Sequence, residues 1–542
     1  MLTKLSSLYP PFLTVWQEGP DVKAVRPQAE GVIDPATAEA LETEALFNAI
    51  NSTSTLIGQA TLYRSLLCPL TEIDLICAKQ AALRELKANQ ALREGLERLI
   101  VNAARPDREA EFYKLLYCFF LGTIGAPVSP REVKGFGYDA YLNGTSFVLE
   151  MVEQARRLPL PQSPYLKSLI ETLTGFAATR SFALMQGPVY RTEKRLLTRQ
   201  EKGFLPAIRF RPSLLKPGLI AVGIGGLILA WTTLPSLLNM ARPAIGLLWL
   251  FLLPLGVAYP PLVGSFDRDR FIYPLRKLFR EATEVQQLLE ALGYLDELLS
   301  FLRFAEGFGH PTCLPEIEAS DRHRFLAKEL RNPILGKGNP DYVANTIELD
   351  SHRLTFITGP NSGGKTALCK TLAQSQLLAQ IGCFVPARQA RLTVADRIFY
   401  QVPEVSHLTD REGRFATELK HTKRIFLAAT PKSLVILDEL AEGTTHEERL
   451  KISYDILHGF HKKGCTTVLV THNHELVDKF QAEGIGQAKQ VEFLGERPSF
   501  RLIDGISRVS HADRVAREVG FSKEDIERYL KEENHDLSRR TV

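Results

Sequence analysis

The 542-residue sequence lacks a CxxC pair, a surplus of either charge and, over most of its length, any alternation of the strand period. Its seven cysteines (Cys68, Cys77, Cys118, Cys313, Cys369, Cys383, Cys465) are odd in number and scattered. That excludes a zinc ribbon or a disulfide framework and fits reduced thiols buried as small hydrophobes. Sixty-six basic against 62 acidic side chains leave +4, too little over this length to argue for a polyanionic partner from net charge. In the opening MLTKLSSLYPPFLTVWQEGPDVKAV, Pro10 and Pro11 fall where a signal's apolar helix would run, so no cleavable leader is read. Strand signal is nearly absent before residue 340. With 45% hydrophobic and 24% charged residues the composition excludes wholesale disorder and a collagen-like chain. The length predicts roughly three to four globular units.

What the first part does contain is helix. Between residues 37 and 105 apolar positions recur three and four apart among good helix formers, in ATAEALETEALFNAI, STLIGQATLYRSLL and IDLICAKQAALRELKANQALREGLERLIVNAA. Further helices are predicted over 112–121, 145–157 and 165–184. The largest local anomaly is 217–266, where Arg242 is the single charge. It divides into uncharged runs of 25 (217–241) and 24 (243–266) residues, against about 20 needed to cross a bilayer. Arg209, Arg211 and Lys216 precede it, Arg268, Arg270, Arg276 and Lys277 follow it, and Trp231, Trp249 and Tyr259 lie within it. Two transmembrane crossings with a tight turn near 239–243 are predicted, both flanks cytoplasmic by the positive-inside rule. Beyond them, Leu278, Ala282, Val285, Leu289, Leu292, Leu295, Leu299 and Leu302 form a heptad-like seam on one long helix packed within the chain.

After residue 340 strand-like segments alternate with helices: TIELD, RLTFITG, a helix over 365–381, DRIFYQV, a helix over 416–429, SLVILDE, a helix over 447–460, CTTVLVTHN and KQVEFL. The alternation predicts an α/β domain with a largely parallel sheet. Between RLTFIT and the first of these helices stands Gly359-Pro360-Asn361-Ser362-Gly363-Gly364-Lys365-Thr366, a full GxxxxGK[ST] phosphate loop in its strand-loop-helix setting. Its backbone N–H groups curl around phosphates, Lys365 reaches the β and γ phosphates, and Thr366 offers a hydroxyl to Mg2+. Downstream, the apolar strand Leu434-Val435-Ile436-Leu437 ends in Asp438 and Glu439. Asp438 is read as holding the magnesium and Glu439 as polarising the attacking water. A third strand delivers His472 at its C-terminal end, where active groups of open α/β sheets gather, and His472 is read as a γ-phosphate sensor.

At these residues the chain resembles the MutS family of ABC-type ATPases. TGPNSGGKT is similar to the family's phosphate loop, LVILDELAEGTT to its acidic strand and the turn after it, and VTHNHEL to its histidine switch. IGCFVPA with DRIFYQV resembles the segment after its first helix, and GISRVSHADRVAREVGFSKEDIERYL its closing helix-turn-helix. LYRSLLCPLTEIDLICAKQAALRELKANQALREGLERL resembles the family's helical core. The resemblance implies ATP and Mg2+ as cofactors and a homodimer whose ATP sites form between two ATPase domains. It implies Tyr342 as the aromatic residue against adenine. The family's S-x-F-x-x-E signature reads Gly413-Arg414-Phe415-Ala416-Thr417-Glu418, so Gly413 stands where a serine meets the γ phosphate across the dimer. The residues before 34 are too few to hold the family's mismatch-reading domain, and the apolar hairpin occupies the place of its DNA-clamping tip.

The predicted architecture is a mixed one: an all-α core and lever domain carrying a two-helix transmembrane hairpin, followed by an α/β P-loop (ABC-type) ATPase domain. The segments are 1–33, the first part of the helical core at 34–216, the hairpin at 217–266, a returning lever helix and connector at 267–322, and the ATPase domain with its helix-turn-helix at 323–542. The predicted function is a multi-pass, membrane-anchored ATPase that drives lever movement, with its ATPase domain and both termini cytoplasmic and an unidentified membrane or protein partner. Two alternatives stand beside it. One is a DNA-binding mismatch repair or recombination factor, for which the sequence offers no basic stripe; the other is a non-hydrolysing nucleotide-dependent scaffold, which Gly413 suggests.

Overall fold

A computed structural model describes residues 30–105, 108–117, 138–211, 226, 266–360, 363–403, 414–441, 445–494, 497–508 and 519–530. They divide into two compact units, one drawn from 50–66 and 77–304, the other from 30–49, 67–76 and 305–530.

The first unit is mainly helical. Its labelled helices are α1 (Leu56–Leu67), α2 (Arg108–Tyr117), α3 (Tyr138–Ala155) and α4 (Thr283–Gly307). A small antiparallel sheet, order β2-β1-β3, accompanies them, built from β1 (Tyr190–Arg191), β2 (Leu196–Leu197) and β3 (Ile208–Arg209). The predicted seam helix is broken at Ala282, whose ψ of 112° is extended. From there α4 is buried on nearly every face rather than along one stripe, with Leu288, Leu292, Leu295, Leu298, Phe301 and Leu302 all enclosed. A helix buried all round must satisfy its polar side chains, and Asp296 and Glu297 are both fully buried. Asp296 Oδ2 accepts from the Thr55 N–H at 2.8 Å and the Thr55 hydroxyl at 2.7 Å, so it caps α1. Glu109 on α2 accepts the next two N–H groups of α1, from Leu56 at 2.9 Å and Ile57 at 3.0 Å. Two carboxylates from distant helices thus take up the orphan donors and positive end of α1. Glu297 pairs with the equally buried Lys79 at 2.7 Å.

The second unit is α/β. Its central sheet has the order β13-β12-β7-β11-β10-β9, with β7 (Leu354–Thr358), β9 (Ile398–Gln401), β10 (Leu434–Asp438), β11 (Thr466–Val470) and β12 (Gln487–Leu494) parallel. Only β13 (Arg497–Asp504), at one edge, runs antiparallel. β7, β9, β10 and β11 are buried at every residue, as strands covered on both faces must be. The covering helices are α5 (Lys365–Gln380), α6 (Arg414–Ala428), α7 (His446–Lys463) and α8 (His474–Ala482). Phe356, Val435, Leu437, Leu457, Phe460, Leu469 and Phe480 lie in the core on one face. On α5, the buried Gln374 donates to Leu41 O at 2.9 Å and Gln380 to Leu70 O at 2.9 Å, which binds the early segments 30–49 and 67–76 into this unit. A second sheet, order β4-β8-β5-β6, consists of β4 (Glu316–Glu318), β5 (Phe325–Leu330), β6 (Asn345–Leu349) and β8 (Gln389–Thr393).

Two expectations are corrected. The part before residue 340 is not all helix, because β1 to β5 lie there and the fold is a mixed α/β one with three sheets. Two-residue strands are too short to alternate, and in β5 the register shifts between Ala327 and Leu330, with Glu329 at φ 52°, so the period of two never develops. The predicted transmembrane hairpin and multi-pass localisation are overturned as well: among the described residues no helix is long and apolar enough to cross a membrane. The longest described helix, α4, carries Glu284, Glu290, Asp296, Glu297, Arg303 and Glu306. Apart from Gly226 and Phe266, the segment 217–266 lies outside the described residues. The expectation rested on apolar length, basic flanks and interfacial aromatic residues, and the same sequence also carries Pro235, Pro243, Pro254, Pro260 and Pro261.

Candidate nucleotide site

Parallel strands in register deliver their C-terminal ends to one edge, and this edge collects the chemistry. Ile357 of β7 pairs with Val470 of β11, and Val470 with Asp438 of β10. The residues next along each strand are therefore neighbours: the start of the phosphate loop, the Thr471-His472 turn and Glu439. The Glu439 N–H donates to Val470 O at 3.0 Å and the Thr471 N–H to Ile357 O at 3.1 Å, which carries the ladder one step past the strands.

Five of the residues singled out in the sequence meet here. The Thr366 hydroxyl donates to Asp438 Oδ2 at 2.8 Å. Lys365 Nζ donates to Gly359 O at 2.6 Å and Pro360 O at 2.8 Å, and lies 3.5 Å from His472 Nε2. His472 Nε2 is in turn 3.3 Å from Glu439 Oε1. Burial lowers Lys365 to a pKa of about 8, with the negative Asp438 pulling it back. Burial also raises Asp438, against the Thr366 hydrogen bond and Lys365. His472 falls to about 4 because burial and then the positive charges of Lys365 and Arg449 oppose its protonation. At neutral pH the ring is uncharged, so its contact with Glu439 is not an ion pair. Nε2 can accept from Lys365 or donate to Glu439, and one tautomer does only one of these.

Gly364 takes φ 77°, the left-handed region, directly before α5. Gly363 and Pro360 complete the described part of the loop, while Asn361, Ser362 and Gly413 lie outside the described residues. Tyr342 is not among the residues gathered at the strand ends. It is half-buried in a turn three residues before β6, its N–H donating to Asn339 O at 3.4 Å.

Three features were missed by sequence reasoning. The Phe500 ring covers the phosphate loop: a methyl group on Gly364 would come within 3.3 Å of Phe500 Cδ1. Phe500 stands at φ 59°, held where Asn345 donates to Phe500 O at 2.9 Å and accepts from the Leu502 N–H at 2.7 Å. Glu418 of α6, buried, accepts the Ala441 N–H at 2.5 Å and so pins the turn after Glu439, in which Glu439 and Ala441 both have positive φ. Arg449 of α7 lies 3.6 Å from Glu439 Oε2. The signature segment in the sequence did single out Glu418, but not the Ala441 N–H it accepts from. No local pattern points to the other two.

Residues 355–528 match the family model described as MutS domain V, a span that contains all five gathered side chains. The DNA mismatch repair protein MutS of Desulforamulus reducens is 36% identical over 230 residues, 40% of this chain and 26% of that protein. Its counterparts in Prochlorococcus marinus (strain MIT 9301) and Chlorobium phaeobacteroides are 32% and 33% identical over 270 and 275 residues, 47% and 48% of this chain. Over the matched span the chain is similar to MutS proteins. It spans less than a third of the length of these MutS relatives, 29% and 30% for the latter two. Domain V begins at β7 and runs past β13, so it coincides with the central sheet and its helices rather than with the first unit.

Proposed function

We propose that this MutS-family chain binds ATP with Mg2+ at the strand-end site and hydrolyses it, as a P-loop ATPase of the ABC type. The observation that carries the reading is the 2.8 Å pairing of the Thr366 hydroxyl with Asp438 at the N-terminus of α5, beside the Lys365 ammonium. A hydroxyl and a carboxylate side by side suit magnesium, which takes one or two protein oxygens and completes its shell with phosphate oxygens and water. The ion, when bound, neutralises charge on the β and γ oxygens. Lys365 has two loop carbonyls as acceptors and a phosphate is a stronger one. Glu439, behind Asp438, accepts a hydrogen bond from the attacking water, and neutral His472 in its Nε2–H tautomer donates to a γ-phosphate oxygen or to Glu439. Gly359, Pro360, Asn361, Ser362, Gly363 and Gly364 cradle the phosphates. The exposed face of Phe500, over Gly364, and the ring of Tyr342 are the two aromatic surfaces proposed for the base. As the family resemblance implies, the site is completed by Gly413 of a second copy in a homodimer.

Hydrolysis is tested by Glu439→Gln. The variant retains ATP affinity within about threefold and loses turnover by about 100-fold or more, read by equilibrium binding beside phosphate release. Turnover at the wild-type rate removes Glu439 from its role. A second reading, a DNA-directed role, is favoured by its relatives, each named a DNA mismatch repair protein. Filter binding of duplex, mismatched and branched DNA at low salt, with and without ATP, decides it, and no retention of any form counts against it.

A further inference from the structure

Arg449 lies on the first turn of α7, at the positive end of the helix, where acidic residues such as its neighbours Glu447 and Glu448 are the favoured kind. A guanidinium in that place needs a carboxylate, and the one it meets is Glu439. Nη2 lies 3.6 Å from Oε2, with the two side chains 23% and 14% exposed. His472 is at the other oxygen, Oε1. At 3.6 Å the contact with Arg449 is beyond good hydrogen-bond length. It draws the carboxylate toward α7 by charge, whereas aligning a general base on its water calls for a short, directional bond.

We propose that Arg449 is a built-in brake on ATP hydrolysis, a positioning residue that acts through Glu439 by holding Oε2 toward α7 and away from the attacking water. The inference rests on the hydrolytic reading above and adds regulation to it. Glu418 holds the same turn through the Ala441 N–H. The carboxylate therefore swings on a fixed backbone, and the ion pair governs which way.

The test uses the full chain with Arg449→Ala, Arg449→Lys, Glu439→Gln and the Arg449→Ala/Glu439→Gln pair. Arg449→Ala is expected to raise kcat about two- to fivefold with ATP affinity unchanged, the span of a partly exposed ion pair. Arg449→Lys, which keeps the charge, returns kcat toward the wild-type value. Thermal melting of wild type, Arg449→Ala, Glu439→Gln and the pair supplies a readout independent of turnover, in which the two single substitutions are expected to be non-additive. Additive melting shifts overturn the ion pair, and an unchanged or lowered kcat in a folded Arg449→Ala protein that turns over measurably overturns the brake. ATP binding without turnover in either wild type or Arg449→Ala overturns the hydrolytic reading and the brake with it.

Discussion

Gly364 shows how much one residue without a side chain sets at this site. Its φ of 77° lets the chain turn from the loop into α5, and the open space above it is filled by Phe500 at van der Waals distance. An alanine there meets two separate penalties, a left-handed backbone that costs about 1 kcal/mol and a methyl group pressed on an aromatic ring. Gly364→Ala is expected to lower unfolding free energy by about 1–2 kcal/mol and to weaken ATP binding, measured by denaturant titration and equilibrium binding. Adding Phe500→Ala should relieve the contact and leave the backbone strain, so the double variant recovers part of the stability. Full recovery would show that the backbone conformation costs nothing there.

At the scale of elements, α1 carries its own prediction. Its first turn is held by Asp296 and Glu109, both nearly solvent-free, and burial with the neighbouring negative Asp296 raises Glu109 to a pKa of about 7, despite hydrogen bonds from Tyr113, Leu56 and Ile57. A carboxyl that is more basic folded than unfolded binds more protons in the native state, so stability falls as pH rises. Its contribution is present in full below the usual 4.5 and is lost as pH climbs through about 7. Over that window Glu109 costs on the order of 3 kcal/mol. Melts of wild type and Glu109→Gln between pH 5 and 8 should differ in slope, the variant being flatter and destabilised throughout because an amide NH2 faces donors. Parallel slopes would mean that Glu109 ionises normally in the fold.

Elements also show what the sequence can disclose. β7, β10 and β11 are legible because strands buried on both faces read as unbroken apolar runs, and Lys365, Thr366, Asp438, Glu439 and His472 because motif spacing and strand ends mark them locally. β13 is not, since its outward residues leave no apolar pattern, and β1 to β3 are too short for one. Nor could Phe500 over Gly364, Arg449 at Glu439 or Glu109 under α1 be read, because each is a contact between residues remote in sequence. The apolar stretch at 217–266 misled for the opposite reason. Its local signal of apolar length and basic flanks was strong, and among the described residues no helix is long and apolar enough to cross a membrane.

At the scale of the molecule the question is how many chains make a working site. Within one chain the described site supplies Lys365, Thr366, Asp438, Glu439 and His472 around the strand ends, all within the span matched to MutS domain V. α6, which follows Gly413 in the sequence, is fastened to its own chain by Glu418 at Ala441 and by Thr422, whose hydroxyl is 3.0 Å from Gln401 Nε2. A helix so pinned moves with the second unit, and in the proposed dimer a second copy would bring its Gly413 together with that unit. The site that Glu439→Gln loads without turnover should then hold two chains together. Sedimentation of that variant is expected to show a monomer without nucleotide and a dimer with Mg2+-ATP, while Lys365→Ala stays monomeric in both. If the ATP-loaded variant sediments as a monomer at concentrations well above its ATP dissociation constant, each chain completes its site alone, and Glu439 and His472, already gathered in one chain, would have to suffice.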